Sequence, residues 1–359
     1  MTEAYFLKRQ DRLKNVLAEQ NLDGLFITNL TNVRYLSGFT GSAGACLFTP
    51  NGQYFFTDGR YIEMSRQQVK GFERFISSDP HLKNIKTNDL IKGDLKLGFE
   101  GDFVSVNQFG EMKDTFSQVN WQSTTRIVEE LAAFKDASEI EAFRTAVEIT
   151  DRTHEEILPL IKEGVTEKFI ANELLKRYRE YGDGEAFAPI VAGGPNSALP
   201  HAVPSDRPFQ KGDFIVIDAA AKYAGYHADM TRTPVLGKPT EKHKEIYAIV
   251  KEAQQAGIDA VRDGISCKDV DSSTRDIIER HGYGDLYTHG TGHGLGLEIH
   301  TMPRMSQISE DTLYENYVVT IEPGIYEVGW GGVRIEDDII VRKDHGEVLN
   351  KSSKDLLAL

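Results

Sequence analysis

The 359-residue sequence predicts two domains, an α/β domain over residues 1–127 and an α+β domain over 128–359 with an internal duplication. Three observations predict this. The length suits two domains of roughly 100–200 residues each. The first part of the chain alternates helix-like and strand-like stretches. The rest repeats one pattern: helices, an apolar strand ending in an acid, a turn, and a returning strand carrying a second acid.

The elements follow in order. Residues 5–20 read as a helix, with Leu7, Leu13, Val16 and Leu17 on one stripe. Leu25 to Thr28, Ala45 to Thr49 and Tyr54 to Thr57 read as strands, separated by turns rich in Gly, Asn and Ser. Helical and strand patterns then alternate to about residue 125. Val128 to Ala137 is the candidate domain junction. Ser138 with Glu141 reads as a capping box that opens a helix. A second helix runs from Thr166, a good N-cap, to Gly182, and a third from about Thr240 to Gly264. A fourth starts at Ser266, with Asp269 three residues on. Asp213 to Ala221 and Ala228 to Val235 read as a strand pair around a Tyr-Ala-Gly-Tyr turn. Tyr317 to Gly324 and Gly332 to Val341 form the matching pair around a Gly-rich turn.

Composition excludes several classes. The 41 Lys plus Arg against 55 Asp plus Glu leave a net charge of −14, and no basic cluster suits nucleic acid. Most of that charge serves solubility. Two cysteines, Cys46 and Cys267, are too few for a disulfide framework or a thiolate zinc site. The N-terminus lacks a signal peptide's apolar segment, and no apolar run approaches the ~20 residues that span a bilayer. A reducing cytoplasm and no membrane partner are expected. Gly290 to Gly296 is not G-x-G-x-x-G, because Leu295 stands at the third glycine. Thr40 replaces the first glycine of G-x-S-x-G, and Leu158 the second histidine of H-E-x-x-H.

The acids of the two strand pairs carry the chemistry. Asp218 follows an apolar strand, and Glu322 follows another; Asp229 and Glu336 sit on the returning strands. A buried lone carboxylate is costly unless it is paired or binds a cation. One such acid is ordinarily a turn cap or an arginine partner. Four in two parallel arrangements point to a site. The run from Thr288 to His300 supplies His289, His293 and His300, and the glycines framing His293 permit close backbone approach. Alternation places Arg334 on the face of Glu336. Four carboxylates and one imidazole balance two divalent ions. The oxygen-rich set favours Mn²⁺, with Co²⁺ or Zn²⁺ admissible. A pair of ions about 3.5 Å apart activates water and polarises a carbonyl, which is hydrolytic chemistry.

These residues resemble the creatinase, prolidase and aminopeptidase P family, the pita-bread metallopeptidases. Asp218 in Ile-Val-Ile-Asp, Asp229 in His-Ala-Asp-Met-Thr-Arg-Thr, His293 in Gly-Thr-Gly-His-Gly-Leu-Gly, Glu322 in Ile-Glu-Pro-Gly and Glu336 in Val-Arg-Ile-Glu-Asp-Asp match its five metal ligands. Tyr35 to Gly44 and Phe56 to Tyr61 resemble its N-terminal domain. The resemblance implies a pita-bread catalytic domain with a pseudo-twofold duplication. It implies that Asp218 chelates one metal, His293 and Glu322 the other, and that Asp229 and Glu336 bridge both. It implies active-site roles for His201 and His300, and partner roles for Tyr326 and Arg334 that orient the carboxylates. Glu322 would pass a proton to the leaving group, and one histidine would donate to the tetrahedral oxygen. Thr301 departs from the usual Glu after His300.

The implied activity is cleavage between an N-terminal residue and a following proline, on a peptide with proline second. The Thr-Asp-Gly-Arg-Tyr form at residues 57–61 leans toward aminopeptidase P. The alternatives are a prolidase restricted to dipeptides, a non-catalytic binding protein on the same fold, and a metal-independent amidinohydrolase like creatinase. A homodimer is the implied assembly.

Overall fold

The computed structural model describes residues 2–359. The chain packs as two compact units, Met1–Ala132 and Ala133–Leu359. No helix among the described residues is long and apolar enough to cross a membrane. Cys46 and Cys267 are buried and unpaired.

The first unit is a six-stranded mixed sheet with helices. Its strands are β1 (Gly24–Ile27), β2 (Ala45–Thr49), β3 (Gly52–Thr57), β4 (Glu73–Ile76), β5 (Lys96–Glu100) and β6 (Asn120–Thr124), in the order β4-β3-β2-β1-β5-β6. The antiparallel β1–β2–β3 run is flanked by parallel pairs on both sides. Its helices are α1 (Glu3–Glu19), α2 (Leu30–Ser37), α3 (Ile62–Gln68), α4 (His81–Thr87), α5 (Val106–Thr115) and α6 (Ile127–Ala133). Phe26, Leu47, Phe56, Leu97, Phe99 and Met112 form one apolar core across the sheet. The expected strands at residues 25–28, 45–49 and 54–57 are all present.

The second unit begins with α7 (Ala137–Ile157) and α8 (Glu167–Tyr181). Asp136 caps α7, not Ser138. Its carboxylate accepts from the Ser138 and Glu139 N–H groups, and Glu139 reciprocates on the Asp136 N–H. Both D-x-x-E and S-x-x-E fit the sequence, and the earlier box starts the helix. Thr166 caps α8 as expected. Strands β7 (Gly184–Glu185), β8 (Ile190–Gly193), β9 (Ile215–Asp218), β10 (Ala221–Tyr223), β11 (Tyr226–His227) and β12 (Thr231–Arg232) complete the first half. The second half holds α9 (Glu241–Ala260), α10 (Cys267–Arg280), β13 (Gly292–Gly294), β14 (Thr301–Met305), β15 (Val318–Ile321), β16 (Gly324–Glu327), β17 (Gly331–Arg334), β18 (Asp337–Val341) and β19 (Gly346–Val348). Thr240 and Ser266 are the N-caps of α9 and α10. α9 ends at Ala260, short of Gly264, because Val261 already turns to extended backbone.

Three of the four long strands expected from the sequence are broken in two, and the fourth, residues 228–235, holds only the short β12. β9 pairs with β12, and the intervening chain forms a separate hairpin, β10–β11, around Ala224 and Gly225. Both turn residues have positive φ, +49° and +84°, as a two-residue hairpin turn requires. In the second half β15 pairs with β18, and the inner hairpin is β16–β17. Each half is thus a helix pair followed by an outer strand pair and an inner hairpin. The breaks fall at the acids. Asp218 ends β9, Asp229 precedes β12, Glu322 follows β15 and Glu336 precedes β18. A strand interior would aim such acids alternately to opposite faces. The breaks free them to converge.

Candidate metal centre

Apolar burial sets the stage. Ile215, Val216 and Ile217 on β9, and Val318, Val319 and Ile321 on β15, are at most 2% exposed. They carry their strands into the core and leave Asp218 and Glu322 at its edge. Asp218, Asp229 and Glu336 are 8%, 5% and 1% exposed. Carboxylates this deep need compensating charge.

The ligand atoms of Asp229, His293 and Glu336 lie within 4.8 Å of one another. Glu322 Oε1 stands 3.4 Å from His293 Nε2, and Asp229 Oδ2 stands 3.5 Å from it. The His293 Nδ1–H donates to the Gly294 carbonyl at 3.1 Å, since a carbonyl only accepts. The lone pair of the neutral ring therefore sits on Nε2, facing the acids. Burial holds this ring neutral, with its pKa down at about 4. Asp218 Oδ1 is buried and has no hydrogen-bond partner. A converging set of carboxylate oxygens, one imidazole lone pair and an orphaned carboxylate oxygen fits divalent cations.

The same crowding raises the acids. Burial, then the negative charges of Glu336, Asp218 and Glu322, push Asp229 well above the usual carboxylate range. Burial and then Glu322 and Asp218 do the same to Glu336. Glu322 is pushed up to about 7, chiefly by burial, with Arg334 opposing and Asp218 adding.

Arg334, on β17, is the hub of the supporting network. Its NH2 donates to Asp218 Oδ2 at 2.6 Å, its NH1 to the Tyr326 hydroxyl at 2.8 Å, and its Nε to Thr231 Oγ1 at 3.0 Å. Thr231 in turn donates to Glu336 Oε2 at 2.6 Å. Alternation within one strand placed Arg334 on the face of Glu336. The chain breaks between β17 and β18, and the two residues are linked through Thr231. The Tyr326 hydroxyl lies 2.8 Å from His289 Nε2. His289 Nδ1–H donates to the Gly290 carbonyl, and burial keeps the ring neutral at about 4, so Tyr326 donates to it. On the other side, the Thr320 hydroxyl accepts from the His293 N–H at 3.0 Å and donates to Glu322 Oε1 at 3.2 Å. Asp338 Oδ2 accepts from the Asp229 N–H at 3.1 Å.

The glycines around His293 are sterically required. A Cβ on Gly292 would lie 2.0 Å from the Thr320 carbonyl oxygen, and one on Gly294 2.0 Å from the Met302 carbonyl oxygen. Neither β15 nor β14 leaves room for it.

The structure brings Asp229, His293, Glu322 and Glu336 together, with Asp218 tied in through Arg334. The His300 ring stands edge-on to the His293 ring, with centroids 4.5 Å apart. His201 is exposed, and its charge would oppose protonation of both His289 and His300. Thr231, Thr320, Asp338 and the contact of His289 with Tyr326 were not foreseen. Period-two spacing held a signal for two of them. Thr231 is two residues from Asp229, and Asp338 two from Glu336.

The model of metallopeptidase family M24 matches residues 141–343, and the creatinase/prolidase N-terminal domain model matches residues 9–133. The chain belongs to metallopeptidase family M24. This M24 chain is 36% identical to the Xaa-Pro dipeptidase of Pyrococcus furiosus over 98% of its own length and 99% of the relative's. It superposes on an Xaa-Pro dipeptidase from Bacillus anthracis with a TM-score of 0.94 at 39% identity, covering 99% of this chain and 100% of the other. It superposes on an X-Pro aminopeptidase from Thermotoga maritima with a TM-score of 0.89 at 35% identity, covering 97% and 100%. The fold is the creatinase N-terminal domain followed by the duplicated pita-bread domain of family M24. As an M24 member the protein is a metal-dependent peptidase.

Proposed function

We propose that this peptidase hydrolyses the bond between an N-terminal residue and a following proline, acting as an aminopeptidase on peptides. The observation that carries the reading is the convergence of His293 with Asp229, Glu322 and Glu336 in a buried, net negative cleft. Asp218, Asp229, His293, Glu322 and Glu336 would hold two divalent ions, Mn²⁺ by the oxygen-rich donor set. When bound, such a pair supplies Lewis-acid polarisation of the scissile carbonyl and an activated water.

The protein's own groups do the rest. Glu322, beside His293 at the cluster, would accept a proton from the attacking water and return it to the prolyl nitrogen as that bond breaks. His300, kept neutral chiefly by burial, or His201 would offer an N–H to the developing oxyanion or the substrate amide. Arg334 holds Asp218 in place and, through Thr231, orients Glu336.

The Thr-Asp-Gly-Arg-Tyr segment at residues 57–61 supports the aminopeptidase form. A dipeptidase form is favoured by the names of the relatives from Pyrococcus furiosus and Bacillus anthracis. Product analysis on an Xaa-Pro dipeptide and an Xaa-Pro-Xaa-Xaa peptide, with Mn²⁺, Co²⁺ and Zn²⁺ in turn, tests both. Release of the N-terminal residue from the longer peptide supports the aminopeptidase. Cleavage of the dipeptide alone makes the protein a prolidase. Cleavage of neither removes the Xaa-Pro assignment.

A further inference from the structure

Each half of the second unit holds a helix carboxylate with no exposed surface that the chemistry above does not use. Glu167 on α8 and Asp271 on α10 are both 0% exposed. Burying a carboxylate is costly unless its lone pairs are filled, and here both are fully engaged. Glu167 Oε1 accepts from the Gly193 N–H at 2.8 Å and from Asn196 Nδ2 at 3.0 Å. Its Oε2 accepts from the Ser205 N–H at 3.0 Å and the Ser205 hydroxyl at 2.6 Å. These donors stand at the two ends of the segment that carries His201.

Asp271 does the same in the second half. Its Oδ1 accepts from the Thr291 N–H and the Thr291 hydroxyl, both at 3.0 Å. Arg275, one turn along α10, grips it with Nε at 2.9 Å and NH2 at 3.1 Å. The same guanidinium donates to the Tyr287 carbonyl at 3.2 Å and the His289 carbonyl at 2.8 Å. The Thr291 carbonyl accepts from the Glu322 N–H at 2.8 Å, and His293 lies two residues further on. Thr291 is therefore held by α10 on one side and holds Glu322 on the other.

We propose that Asp271 and Glu167 are positioning residues, one for each half. Asp271, with Arg275, fixes the backbone that presents His293 and Glu322; Glu167 fixes the loop that presents His201. This rests on the assignment of those three residues to the site. An ionised carboxylate is needed because every partner is a donor, and such charge-assisted bonds are the strong ones. An amide of the same shape keeps one oxygen and turns an NH2 group against the remaining donors.

The test uses the full chain, Mn²⁺ alone in equilibrium dialysis, and peptide-resolved hydrogen exchange. Asp271→Asn is expected to raise the Mn²⁺ dissociation constant about 10–100-fold, the usual effect of losing a partner that orients a ligand. Glu167→Gln is expected to leave that constant within about threefold, as a separate locus should. In that variant exchange across residues 193–205 rises roughly tenfold. A merely structural role would weaken Mn²⁺ binding in both variants or in neither. Should Asp271→Asn not fold, Arg275→Lys serves in its place. It keeps the charge but loses the fork to the Tyr287 and His289 carbonyls, and the same loss of affinity is expected. Wild-type Mn²⁺ affinity in the Asp271 or Arg275 variant, or an equal loss in Glu167→Gln, overturns the proposal. Both readouts need no substrate. A wild-type protein that binds Mn²⁺ but cleaves no Xaa-Pro bond would therefore sink the proposed function alone, and one that binds no Mn²⁺ would sink both.

Discussion

Stripped of metal, the protein should lose stability as pH rises from 5 to 8. Glu322 carries the argument. Burial, reinforced by the charge of Asp218, lifts its pKa from 4.5 to about 7 in the folded chain. A carboxyl with a folded pKa above its unfolded value binds more protons when folded. Its stabilising contribution is complete below about 4.5 and is lost as pH rises through about 7. The difference, about 7 − 4.5 = 2.5, at about 1.4 kcal/mol per unit, gives about 3 kcal/mol. At about 2–4 °C per kcal/mol, Tm falls about 6–12 °C across the window. The Glu322 side chain is 17% exposed, so solvent screening takes only a small part of this. Asp229 and Glu336 shift the same way, chiefly through burial, and add to the loss. Calorimetry of chelated protein at pH 5 to 8 reads the slope directly. Mn²⁺-saturated protein and a chelated Glu322→Gln variant are the comparisons, and both should show a flatter curve. A flat or rising curve for chelated wild type, or the same fall with Mn²⁺ present, refutes the reasoning.

Three further outcomes are expected. Asp229→Ala removes an oxygen donor at the centre of the cluster and should weaken Mn²⁺ binding more than about 100-fold, beyond the usual effect of an outer partner; near-normal binding by dialysis would exclude Asp229 as a ligand. Gly292→Ala places a Cβ 2.0 Å from the Thr320 carbonyl oxygen, so it should cost about 1–3 kcal/mol or more and displace His293. Thermal unfolding and Mn²⁺ affinity, measured together, check it. Arg334→Ala strands Asp218 as a buried, unpaired charge and should cost about 3–5 kcal/mol in urea unfolding of the chelated chain. A loss under about 1 kcal/mol would show that the ion pair does not hold the site.

The candidate ligands were legible because each broke a local rule. Asp218 and Glu322 terminate strands whose other residues are uniformly apolar, and His293 sits among glycines that only close backbone approach explains. Apolar runs bounded by turn residues also located three of the six first-unit strands, β1, β2 and β3. The same reading failed where two strands shared one apolar run. Residues 332–341 read as a single strand, yet the chain breaks at Ile335 and Glu336, and Arg334 meets Glu336 only through Thr231. The supporting groups were hidden for a different reason. Thr231 lies 105 residues from Glu336, and Arg334 lies 116 from Asp218. Cross-strand contacts that distant leave no local pattern. At the start of α7 the box read from Ser138 and Glu141 gave way to an overlapping one, Asp136 with Glu139, that the hydrogen bonds of Asp136 reveal.

The division of the proposed ligands between the two halves also bears on when the centre would come into being. Asp218 and Asp229 belong to one half, and His293, Glu322 and Glu336 to the other, with α9 and α10 between them in the chain. During synthesis the first two acids emerge with no imidazole or glutamate to complete them. Neither half alone gathers enough donors to capture an ion tightly. On the proposed ligand set, metal uptake would report that both halves have folded and docked. A pulse of Mn²⁺ added during refolding would mark the arrival of the finished protein more sharply than the return of its helices.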